Sequence, residues 1–275
     1  MRKAVHPVVV RGAGDLASGV ILRLMRAHVP VVALETALPL SVRRTVSFSE
    51  AVYEGSMKVE DTEALLASSP AGALDIAASG RVAVLVDPDA LSLPLLEPRA
   101  LVDAIMAKKN CGTLPSMAPH VIAIGPGFAA GTDADAVVET QRGHDLGRVI
   151  WKGSAAPNSG IPGIVLGHGS DRVFRAHRAG KLIVVKGIGC AAGKGDLVAC
   201  IEDNGTPGEE LRAPFDGMVR GMLRGGFSVW PGLKLGDLDP RCEQRFCTSV
   251  SDKALAVAGG VMEALLCLLG KDLIE

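Results

Sequence analysis

Aromatic side chains make up only 3% of the 275-residue chain, too few for the stacking platforms that hold single-stranded bases. Neither sign of charge is in excess, since 29 basic residues face 30 acidic ones. A nucleic-acid binder would carry a basic face, so that class of partner is not expected. Long hydrophobic runs are missing too. The longest greasy stretch, Val261 to Leu269, is interrupted by Glu263 and falls short of the ~18 apolar residues of a membrane span. The opening MRKAVHPVVVRGAG has no extended apolar core and does not read as a signal peptide. Six cysteines, at 111, 190, 200, 242, 247 and 267, are too sparse for a disulfide framework. They read as reduced thiols of a cytoplasmic protein. Cys242 and Cys247 have no histidine nearby, and no HExxH pattern occurs, so no metal is expected.

What is present is an apolar content of 48%, enough for a sizeable core. The first part alternates short apolar runs with helical stretches. Val8–Val10, Val31–Leu34, Val82–Val86, His120–Ile124 and Val137–Glu139 read as strands. Asp15 to Ala27 has the spacing of an amphipathic helix, Asp61-Thr62 opens a helix through Ala67, and Pro98 starts another through Met106. This pattern predicts an α/β fold, a Rossmann-like doubly wound parallel sheet over residues 1–152. Glycine and proline then recur every few residues, and helical periodicity vanishes. Residues 153–249 read as a β-rich module, with strands over Leu182–Val185, Leu197–Ile201 and Met218–Leu223. Residues 250–275 return to helix, capped by Ser251 and stopped by Gly270.

The chemistry is expected at the first strand's end. Gly12-Ala13-Gly14-Asp15-Leu16-Ala17 follows a strand and opens a helix. Gly12 allows a tight turn, Gly14 a close approach of backbone to pyrophosphate, and the first amides of the helix favour an anion. Ala17 stands where the dinucleotide fingerprint has its third glycine, an accepted variant. Glu35 ends the second strand at about the ~20-residue distance of the acid that binds a ribose hydroxyl. These six residues and Glu35 are candidate cofactor contacts, NAD or FAD being favoured over NADP because a carboxylate repels a 2′-phosphate. Asp15 also fits a plain helix cap. Arg43 and Arg44 could clamp a phosphate or substrate anion, and equally could pair with Glu50 or Glu54. At the carboxyl edge of the sheet, Glu139, Arg142 and His144 are candidate acid–base and anion-binding groups.

In the β-rich part, Ala213-Pro214-Phe215-Asp216-Gly217-Met218-Val219 resembles the opening of a biotinyl or lipoyl domain, and Gly226 to Leu235 its glycine turn. No lysine stands beside methionine at a hairpin tip. The expectation is a barrel-sandwich hybrid without the carrier chemistry.

Five segments carry a wider resemblance: VVVRGAGDLASGV, VRRTVSFSEAVYEG, LVDAIMAKKNCGT, IGPGFAAGTDADAVVETQRGHDLGRVI, and KLGDLDPR followed by SDKALAVAGGVMEAL. On these the chain resembles the YqeB family, accessory proteins of selenium-dependent molybdenum hydroxylase systems. The resemblance implies a maturation factor that partners a molybdenum hydroxylase or other maturation factors, with a molybdenum cofactor derivative as a further ligand. It carries over no catalytic residue. A homodimer is compatible with it. Two other functions fit the residues: an NAD(P)-dependent oxidoreductase acting on a small anionic substrate, and a nucleotide-binding scaffold without chemistry.

Overall fold

The computed structural model describes residues 5–203 and 205–270. The ends of the first and last expected segments, 1–4 and 271–275, therefore lie outside the described residues. The chain divides into two compact units. One comprises Met1–Pro39, Ser47–Ser159 and Val250–Glu275, the other Leu40–Val46 and Gly160–Ser249.

The first unit is built on strands β1 (Val8–Arg11), β2 (Val31–Glu35), β3 (Ser56–Val59), β4 (Thr62–Ala67), β5 (Val82–Val86), β6 (Ala100–Asp103) and β7 (Val121–Ile124). These are followed by β8 (Ala129–Ala130), β9 (Ala136–Val138), β10 (Val149–Ile150) and β11 (Gly153–Ser154). Nine strands form one sheet in the order β10-β9-β7-β6-β1-β2-β5-β4-β3, and β8 pairs with β11. Every pairing from β4 to β9 across the sheet is parallel, and the edge strands β3 and β10 are antiparallel. The chain moves outward on one side from β1 and returns on the other from β6, so the order reverses between those two strands.

Burial on both faces explains the run of β-branched residues in β1, which alternation alone would not permit. Val9, Val32, Leu34, Ala83 and Leu101 form a core with α3 (Pro70–Ala78) and α4 (Leu93–Leu96). The alternate residues Val8, Val10 and Ala33 point to the opposite face and are fully buried. That face is covered by α1 (Asp15–Arg26) and α6 (Asp252–Leu269), which pack against each other. Small residues make the approach close. A Cβ added to Gly19 of α1 would lie 2.8 Å from the Cβ of Ala254 on α6, and one added to Gly260 only 2.1 Å from the carbonyl oxygen of Gly147. Burying Val257, Val261 and Leu265 fastens α6 by roughly 1.5–3 kcal/mol per side chain. Ser251 caps this helix, accepting from the Ala254 amide, and Gly270 ends it. The remaining short helix of this unit is α2 (Ala51–Glu54).

Two expected helices are strands. Residues 62–67 form β4, hairpinned to β3 through Glu60 and Asp61, with Glu60 left-handed at φ 52°. Thr-Glu-Ala-Leu-Leu-Ala favours helix locally, but sheet pairing with β5 overrides a propensity worth tenths of a kcal/mol per residue. The stretch after Pro98 forms β6, all four residues buried beside β1. A short apolar run cannot be assigned by periodicity alone, and central burial decided for strand. The true helix α3 begins at Pro70 behind the cap Ser69, whose Oγ accepts from Gly72.

The second unit contains β12 (Val173–Arg175), β13 (Gly180–Val184), β14 (Ala191–Ala192), β15 (Leu197–Asp203), β16 (Thr206–Arg212), β17 (Gly217–Met222), β18 (Ser228–Val229) and β19 (Lys234–Asp239), with the short helix α5 (Arg245–Thr248). They form two antiparallel four-stranded sheets, β12-β19-β17-β14 and β16-β15-β13-β18. One core of Leu182, Val198, Ile201, Val219, Leu235 and Leu238 draws on both.

Candidate functional site

The carboxyl edge of the nine-stranded sheet collects the residues with most chemistry. β1 runs into the turn Gly12-Ala13-Gly14 and then α1. Gly12 needs to be glycine twice over: its φ is 93°, and a Cβ would lie 3.0 Å from the carbonyl oxygen of Ala104. Gly14 is the N-cap of α1, extended and without a side-chain cap bond. Asp15 is therefore not the cap but the first helical residue, where its charge suits the positive end of the helix dipole. Leu16 is partly exposed, and Ala17 is 1% exposed, a packing position.

Glu35 sits on the turn itself. Its Oε2 accepts from the Ala13 amide at 2.8 Å and its Oε1 from the Thr36 amide at 2.8 Å. The carboxylate thus occupies one of the donors assigned to a phosphate. Behind the turn, the Ala13 carbonyl accepts from the Ser18 hydroxyl and the Ser49 amide, which fixes its direction.

Lys253, on the first turn of α6, is the group that the sequence reading passed over. Burial pushes its amine below the ordinary lysine range, and Arg142 pushes the same way. Asp15, Glu139 and Asp252 pull back. Lys253 thereby shares one electrostatic neighbourhood with the start of α1 and with the loop after β9. Nothing in the sequence marks this lysine, because the meeting of α6 and α1 is a tertiary fact.

The candidate acid–base set divides. Glu139 is 6% exposed, and its carboxylate is fully engaged with backbone. Oε1 accepts from Thr140 and Gln141 and Oε2 from Ala156, each at 2.7 Å. That is a loop-ordering role and leaves it poorly placed as a base. Arg142 makes a bidentate pair with Asp252 at 2.8 and 2.9 Å. His144 is exposed. Glu139 and Arg142 come together around Lys253. Arg43 and Arg44 belong to the second unit, where Arg43 donates to the carbonyls of Phe246 and Ser249 and Arg44 to that of Met222. There they tie the segment 40–46 into the second unit.

A second polar cluster lies where the strand order reverses. Arg11 and Asp103 are register partners on β1 and β6, 3% and 1% exposed. Arg11 Nη1 donates to the Thr113 hydroxyl at 2.5 Å, and that hydroxyl donates to Asp103 Oδ2 at 2.5 Å. Nη1 lies 3.6 Å from the same oxygen. Reading Asp103 as helical concealed this pair.

Among the described residues no group of three or more His, Cys, Asp and Glu side chains could hold a metal ion. No helix among them is long and apolar enough to cross a membrane.

No family model matches the chain. Over 274 residues, 98% of its length, it is 48% identical to the uncharacterized protein YqeB of Escherichia coli strain K12. The chain spans about half the length of that relative, 50%. This likeness supports the YqeB family for the chain. Solved structures match only distantly. An aspartoacylase family protein of Mesorhizobium loti is 11% identical with a TM-score of 0.26, covering 54% of this chain and 58% of that one. The ectoine utilization protein EutE (DoeB) of Ruegeria pomeroyi without ligand is 11% identical with a TM-score of 0.27, covering 86% of each. Likeness at this level assigns no function.

Proposed function

We propose that this chain is a YqeB-type accessory factor whose first unit binds a compact phosphate-bearing cofactor over the N-terminus of α1. On this reading the first unit is a Rossmann-like doubly wound domain, and the second is a barrel-sandwich hybrid used as structure. Lys234 opens strand β19.

The observation that carries the proposal is Lys253. Its partly desolvated ammonium shares the electrostatic surroundings of Asp15 at the start of α1, so a point charge and the helix dipole would act on one anion there. Gly14 and Leu16 stand in the first turn of α1, where backbone N–H groups point towards an anion. Arg142 stands next to Lys253 and is held by Asp252. These residues fit a phosphate. Each oxygen of Glu35 accepts one backbone bond and keeps a lone pair for a ribose hydroxyl, so NAD and FAD fit this edge as a mononucleotide does. The phosphate of a molybdenum cofactor derivative needs only the groups at the start of α1 and Lys253. When bound, a pterin cofactor would supply the redox-active metal chemistry of its final enzyme, while this chain would bind and shield it. The setting in molybdenum hydroxylase maturation rests on the family resemblance.

The test is calorimetry on the full chain with ATP, ADP, NAD, FAD, inorganic pyrophosphate and molybdopterin derivatives. Binding of a phosphate-bearing ligand, weakened at least ~10-fold by Lys253→Met, is expected. No binding of any of them at millimolar concentration overturns the reading. In the native host, deletion should leave the hydroxylase polypeptide at its normal level but without activity; normal activity and metal content would remove the maturation role.

A further inference from the structure

The outer face of α6 carries an apolar stripe that the described first unit covers only in part, Leu255 and Met262 being half-buried. Leu255, Gly259, Met262 and Leu266 recur at spacings of four, three and four, the pattern of a helix that meets another helix. Together with Arg23 of α1 and Glu263 they line a groove of about 930 Å³. Leu266 is 43% exposed.

Gly259 makes the stripe unusual. Its neighbour Gly260 is explained by the first unit, since a Cβ there would collide with the Gly147 carbonyl. A Cβ on Gly259 would meet nothing within 4 Å. Glycine in an exposed helix interior lowers helix stability relative to alanine, and no contact among the described residues requires it. A glycine at the centre of an apolar stripe suits a second helix crossing there at close range.

The charges lining the groove indicate what crosses. Arg23, Arg26 and Glu263 line the groove; Arg26 is held by Glu60 and Asp61, so Arg23 and Glu263 are the groove's pair of opposite sign. A two-fold contact requires such a self-complementary patch, because each residue meets its counterpart's partner. We propose that this face joins two copies of the chain, α6 crossing α6 at Gly259, with Glu263 of each copy against Arg23 of the other. The crossing at Gly259 lies between one and two turns along α6 from Lys253 of the proposed cofactor site.

Sedimentation equilibrium of the full chain over a wide concentration range tests the proposal. The expected species has twice the 28.4 kDa chain mass. Leu266→Glu should weaken association at least ~10-fold while leaving the far-ultraviolet spectrum and melting temperature of the monomer unchanged. Glu263→Arg should weaken it too, and adding Arg23→Glu to that variant should restore it. A wild-type monomer at every concentration overturns the proposal. So does a dimer that survives Leu266→Glu, or a double charge swap that restores nothing.

Discussion

The amide of Ala13 donates to the Oε2 of Glu35 at 2.8 Å, so the acid at the end of β2 closes the glycine turn at the end of β1. The bond joins adjacent parallel strands at their carboxyl ends, and it sets a negative charge beside the N-terminus of α1. An anion that binds there feels that charge. Glu35→Gln keeps an acceptor for Ala13 while removing the repulsion. Calorimetry should show pyrophosphate or ADP binding strengthened several-fold, with a small loss of thermal stability. Weakened binding would mean that Glu35 contacts the ligand directly.

Lys253 gives a dependence on pH. Its amine is held below the usual lysine range, first by burial. The unfolded chain therefore keeps this proton at pH values where the folded chain has released it. Stability should rise with pH between the lowered folded value and the ordinary 10.5. Below that window the cost of burying the charge is fully present. Lys253→Met should raise stability near neutrality and flatten the rise, as read from urea unfolding between pH 7 and 11. An unchanged slope would show that Lys253 is not desolvated.

The pair Arg11–Asp103 should behave as one unit. Removing either partner leaves a buried charge, and Asp103→Ala should cost about 3–5 kcal/mol. The double variant Arg11→Met with Asp103→Ala should cost markedly less than the sum of the singles. Denaturant unfolding of the four proteins measures the coupling; additive losses would show that Thr113 and the Pro88 and Cys111 carbonyls, to which Arg11 also donates, hold Arg11 in place of Asp103.

The adjacent glycines of α6 should respond in opposite directions. Gly260→Ala drives a methyl group into the Gly147 carbonyl and the Val138 side chain and should cost about 1–3 kcal/mol or more. Gly259→Ala meets open space and should stabilise the isolated fold by about 0.5–1 kcal/mol. Melting curves at concentrations low enough to hold the monomer separate the two effects.

The parallel sheet was legible because Val8–Val10, Val31–Leu34 and Val82–Val86 are β-branched runs that only burial on both faces explains. Residues 62–67 and 100–103 were not, since four to six residues of Ala, Leu, Glu and Asp carry no usable period and their state is set by the strands beside them. Gly12 was correctly marked as a tight turn. Its neighbour across the fold, Ala104, was invisible, as was the approach of Lys253 to Asp15. Arg43 and Arg44 are adjacent to β2 in sequence and were grouped with it. Their guanidinium groups answer instead to carbonyls some 200 residues onward, a separation that motif spacing does not encode.

The helix that completes the sheet comes from the far end of the described chain. Between β11 and α6 lie nearly all the residues of the second unit. During synthesis, strands β7, β9 and β10 emerge long before α6 can cover them, and Ile122, Ile124 and Val138 lack their shield throughout. The first unit is therefore begun first and finished last. Its glycine turn can meet Lys253 only after the second unit has left the ribosome, so the proposed ligand site is assembled later than the strands that carry it.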